Sequence, residues 1–68
     1  MKQLGNLAIA AASHADCMLQ IYDGKATIYT GAGNDRKAFS FDAMNDDCVN
    51  EMIAYLNFGT PIKNINIR

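Results

Sequence analysis

The sequence predicts an α+β fold of two layers, a three-stranded antiparallel meander with two helices on one face. Three observations lead there. Asp23-Gly24 stands between two alternating runs, 17–22 and 25–30. A helical apolar stripe lies at each end of the chain. Between them, Lys37-Ala38-Phe39-Ser40-Phe41 alternates again after a Gly- and Asn-rich loop. The element order is therefore α-β-β-β-α, with a tail that can add a short fourth strand.

The first helix is read over residues 2–15. Leu4, Leu7, Ala8 and Ala11 recur at i, i+3, i+4 and i+7, one apolar stripe. The alanines raise helix propensity and Gly5 lowers it. Strands one and two follow at 17–22 and 25–30. Asp-Gly tolerates positive φ at both central positions, which favours a two-residue type I′ turn. That turn sets Tyr22 opposite Lys25, Ile21 opposite Ala26, Leu19 opposite Ile28 and Cys17 opposite Thr30. Side chains alternate between faces, so Leu19, Ile21 and Ile28 share the core side. Met18, Gln20, Tyr22, Thr27 and Tyr29 share the other.

Residues 31–36 form a loop by composition. Strand three follows over 37–41, with Phe39 and Phe41 directed to the core. Asn45 or Asp42 caps the second helix, and Asp46 and Asp47 complement the positive end of its dipole. Val49, Met52, Ile53 and Leu56 make its apolar stripe. Gly59 suits the position after the helix, and Pro61 prevents its continuation. In the tail, 62–68, Ile65 and Ile67 alternate, as expected of an edge strand or a partner-contacting segment.

The bulk properties narrow the function. Sixty-eight residues make one domain. A chain of this size buries only about 60% of the surface its unfolded form exposes, so a second copy would help to stabilise it. Half of its residues are hydrophobic, enough for one small core. An enclosed active site of roughly 300 Å³ would consume much of that core and is not expected. The net charge is −1, with six basic and seven acidic residues dispersed along the chain. No basic block steers it to nucleic acid or anionic lipid. Cys17 and Cys48 form neither a CxxC pair nor a zinc spacing. They read as small apolar residues of a reducing cytoplasm, with a mutual disulfide as the alternative. The apolar run 7–12 is shorter than the ~7–15-residue core of a secretory signal, so a cytoplasmic location is expected. No run approaches the ~20 residues that span a bilayer.

No motif names an activity. Gly31-Ala32-Gly33-Asn34 lacks the third glycine of a dinucleotide loop and the Gly-Lys-Ser/Thr of a P-loop. Asp42, Asp46, Asp47 and Glu51 do not follow calcium-loop spacing. His14 has no specified nucleophile or orienting group. No catalytic residue, metal ligand or cofactor is assigned. The expected function is a non-enzymatic protein–protein interaction module, which binds a protein partner or its own copy as a homodimer. Its partner-binding residues are Met18, Tyr22, Thr27 and Tyr29 on the uncovered sheet face, with Arg36 and Lys37 secondary. The alternative is a small single-stranded nucleic-acid-binding domain that uses Tyr22, Tyr29, Lys25 and Lys37. In size and element order the chain resembles very small phage and mobile-element proteins, including CRISPR inhibitors that bind a host nuclease. That resemblance implies an accessory protein that binds or inhibits a host protein.

Overall fold

A computed structural model of the chain describes residues 2–67. It contains α1 (Lys2–Ala12), β1 (Cys17–Tyr22), β2 (Lys25–Thr30), a 3-10 turn (Gly33–Asp35), β3 (Lys37–Asp42), α2 (Asp46–Phe58) and β4 (Asn66–Ile67). The strands form one antiparallel sheet in the order β1-β2-β3-β4. Both helices pack against one side of it and against each other.

The Asp23-Gly24 turn has the expected backbone, with φ of 52° and 78°. The register it imposes is the anticipated one, from Tyr22 opposite Lys25 to Cys17 opposite Thr30. The core lies between sheet and helices. Leu7 and Ala11 come from α1, Ala26, Ile28, Phe39 and Phe41 from the strands, and Cys48, Val49 and Met52 from α2, with Ala43 and Ile65. The Phe39 ring sits 5.1 Å from that of Tyr55, tilted by 51°, and joins sheet to helix at the centre.

Several boundaries differ from the sequence reading. α1 ends at Ala12, three residues before the expected end. The last turn tightens there: the Ser13 and His14 N–H groups donate to the Ala10 and Ala11 carbonyls, three residues back, and the Ser13 hydroxyl donates to the Ile9 carbonyl at 2.9 Å. On α1, Ala8 is exposed and Ala10 is buried, because α1 packs on α2 as well as on the sheet. Ile21 was expected in the core but is 48% exposed. It lies near the hairpin end of edge strand β1, with a neighbouring strand on one side only. β3 runs one residue further, to Asp42.

α2 is capped by Asn45, whose side-chain oxygen accepts from the N–H groups of Asp47 and Cys48. Asp42 instead accepts from the Met44 N–H at 2.9 Å and shapes the preceding turn. Gly59 closes the helix in the left-handed conformation, its N–H donating to the Tyr55 carbonyl. Both cysteines are free.

The tail does form a strand. Ile67 pairs with Phe39 and Asn66 with Ser40, while Arg68 lies outside the described residues. Glu51 steers the chain into that position. Its carboxylate accepts from the Lys63 and Asn64 N–H groups, each at 2.9 Å, and from the Asn64 side chain at 3.2 Å. The Asn64 and Lys63 backbone N–H groups lower the Glu51 pKa. A depressed carboxylate pKa adds stability above the unfolded-state value and loses it as pH falls through the folded value. Tail amides are therefore expected to lose hydrogen-exchange protection as the pH falls below the ordinary glutamate range. Glu51→Ala should expose the Lys63 and Asn64 amides to fast exchange at neutral pH, with α1 and the β1–β2 hairpin unchanged. Equal protection in the variant would remove this role.

Candidate functional site

The sheet side away from the helices is the open face. Alternation places Met18, Gln20 and Tyr22 of β1 on it, followed by Lys25, Thr27 and Tyr29 of β2 and Ala38, Ser40 and Asp42 of β3. Neither helix covers this side. Tyr22 is 79% exposed and Met18 57%. The centre of the face is held by Thr27 and Ser40, whose hydroxyls lie 3.3 Å apart. Thr27 and Tyr29 are half-buried, flanked by strands on both sides.

The 31–36 loop brings a further group to this face. Gly31 and Gly33 adopt φ of 80° and 60°, and the 3-10 turn between Ala32 and Arg36 folds the loop back. Arg36 then lies with Cζ 4.9 Å from the centroid of Tyr29. A guanidinium over an aromatic ring is attracted by the ring's quadrupole and loses little freedom to a partner. Met18, directly opposite Tyr29 in the register, completes an apolar and cationic cluster.

Two depressions lie on this face. One, of about 370 Å³, includes Met18, Tyr29, Gly31, Gly33 and Arg36 in its lining. The other, of about 380 Å³, is formed by Gln20, Tyr22, Asp23, Lys25 and Thr27 near the hairpin tip. Met18 and Tyr29 thus line the first hollow and Tyr22 and Thr27 the second, so both belong to the candidate face.

Of the six residues picked from sequence, five share this face: Met18, Tyr22, Thr27, Tyr29 and Arg36. Lys37 does not join them. It pairs with Thr30, in the row that points to the helix side. Lys25 is on the face, but its register partner on β3 is Asp42, an opposite charge.

A separate cleft went unread in the sequence. It measures about 420 Å³ and includes His14, Cys17, Thr30, Tyr55 and Leu56 in its lining. It is assembled from the end of α1, the outer ends of the β1–β2 pair and the last turns of α2. Only the short His14–Cys17 separation hinted at it. Burial raises the Cys17 thiol pKa, so the thiol stays protonated and weakly nucleophilic at neutral pH. The Cys48 thiol is raised too, first by burial and then by the Glu51, Asp47 and Asp42 carboxylates. Neither cysteine has the depressed pKa of an activated nucleophile.

Among the described residues, no group of three or more His, Cys, Asp or Glu side chains is placed to hold a metal ion. No helix among them is long and apolar enough to cross a membrane. No family model, curated protein or solved structure matches this chain.

Proposed function

We propose that this chain is a non-enzymatic interaction module that docks another protein on the open sheet face. One observation carries the reading: Tyr22 and Met18 stand exposed on a side that no helix covers. Aromatic and Met side chains at that exposure contribute little to the core, and they are enriched at interface centres. The two hollows, lined by Met18 and Tyr29 and by Tyr22 and Thr27, would receive partner side chains. Arg36, held over Tyr29, offers one oriented cation to an acidic group at the rim. The size and element order add the accessory class to this reading, a phage or mobile-element protein that acts on a host protein.

The nucleic-acid reading is weaker on this geometry. Lys37 lies on the helix-side row and Lys25 is opposed by Asp42, so the face does not form a cationic track.

Tyr22→Ser separates binding from folding. Its side chain is largely in solvent, so the variant is expected to keep its thermal midpoint. Partner capture should fall at least tenfold, about 1.4 kcal/mol, the loss of a single aromatic anchor. Unchanged capture by the variant would take Tyr22 out of the interface.

A further inference from the structure

We infer that the outer edge of β1 pairs antiparallel with β1 of a second copy, joining the two sheets into one. The argument begins with where the β1 backbone points. In a two-residue hairpin the residues flanking the turn, Tyr22 and Lys25, exchange their hydrogen bonds. Alternate positions repeat this arrangement. The Gly31 N–H indeed donates to the Asp16 carbonyl at 3.1 Å, where the even-numbered positions of β1 continue toward β2. The N–H and C=O groups of Cys17, Leu19 and Ile21 therefore point away from β2. β1 is at the end of the strand order, so no described strand receives them.

Open edges are ordinarily protected by charge, proline, a bulge or shortness. The other edge is protected by shortness, since β4 has two residues. β1 has six, Cys-Met-Leu-Gln-Ile-Tyr, with no charge and no proline, paired to β2 without a bulge. Its exposure also falls on both faces: Met18 and Tyr22 on the open side, and Ile21 on the helix side. An edge partner would cover both, whereas a ligand on the open face would leave Ile21 in water.

The strand is its own complement. A two-fold axis normal to the sheet at Gln20 sets Gln20 opposite the second copy's Gln20. Leu19 then meets Ile21 on the helix side, and Met18 meets Tyr22 on the open side. Leu19 and Ile21 are both outward-pointing, so each such pair exchanges its two N–H···O bonds. From Met18 to Tyr22 apolar groups meet apolar groups and the one polar side chain meets itself; the charge of Asp23 falls at each end of the run, in the exposed turn opposite the second copy's Cys17. Shifting the axis toward the turn brings Asp23 opposite Leu19 and buries a charge. This pairing uses the backbone edge, so it does not rest on the open-face reading. It would place the two open faces side by side.

Light scattering of the purified full chain at high micromolar concentration tests it. The wild type is expected at about twice 7.4 kDa. Gln20 is exposed, so its replacements should fold, with circular dichroism as the check. Gln20→Lys and Gln20→Glu each place like charges at the axis, and each alone is expected to be monomeric. An equimolar mixture of the two should recover the dimer mass. A monomeric wild type overturns the inference. So does a dimer that survives either substitution, or a mixture that stays monomeric. Tyr22 lies in both contacts, so the two proposals are separated by their readouts: mass without any partner decides the strand pairing, and capture of a partner by the monomeric Gln20→Lys variant decides the open face.

Discussion

Phe39→Ala is expected to leave much of the chain unfolded at room temperature. The side chain is almost fully buried at the centre of the core and packed on Tyr55 of α2, and in the sheet register Phe39 is paired with Ile28 on one side and Ile67 on the other. Truncating such a ring costs about 3–5 kcal/mol, from lost transfer energy and the cavity left behind. A single core in a chain this short rarely supplies more than about 3–5 kcal/mol of net stability, so the loss is as large as the whole. Because Phe39 lies where β2, β4 and α2 meet, the cavity cannot close without moving an element. Urea titration followed by far-UV circular dichroism should show a midpoint near zero denaturant. A midpoint close to that of the wild type would mean that the core is centred elsewhere.

Gly31→Ala is expected to produce the second-largest loss, with a local signature of its own. Gly31 has φ of 80°, and a Cβ there would lie 2.7 Å from the Asp35 carbonyl oxygen. The left-handed backbone alone costs an L-residue roughly 1–2 kcal/mol. The contact is with backbone, so no side-chain rotation relieves it, and the loop itself has to shift. In a domain of this size about 1 kcal/mol corresponds to a fall of roughly 4–8 °C in Tm, and a larger fall is expected here. The displaced loop carries Arg36, so its stacking on Tyr29 should be lost with it. NMR would show this as loss of the ring-current shift on the Arg36 side-chain protons. An unchanged Tm with the shift retained would contradict the loop geometry.

These two positions also show what was legible in the sequence. Alternation alone assigns Phe39 to the core, and the hairpin register follows from Asp23-Gly24. Such signals are local: a turn type, a cap at Asn45, a left-handed stop at Gly59, a period of two. What was misread depends on placement in three dimensions. Ile21 has the pattern of a core residue, but the edge position of β1 leaves it half in water. Ala8 and Ala10 exchange roles because α1 touches a second helix. The Glu51 clamp joins residues twelve and thirteen positions apart, with no periodicity to announce it. The same distinction holds for the candidate face. Its β1 and β2 residues follow from register, and so does the departure of Lys37, which alternation puts in the row of Phe39 and Phe41, whereas the stacking of Arg36 depends on how the 31–36 loop folds.

The central claim is that the open hairpin face, rather than the helical surface, meets a partner. Site-specific photocrosslinking tests it most directly, in cells that natively carry the chain. A photoreactive residue at position 22 probes the face. One at position 9 probes exposed Ile9 of α1, as a control of similar hydrophobic character. Position 22 is expected to give a discrete adduct heavier than twice 7.4 kDa, so that it is not the chain joined to its own copy. Position 9 is expected to give none. No such adduct from position 22, or the same adduct from both positions, would contradict the claim.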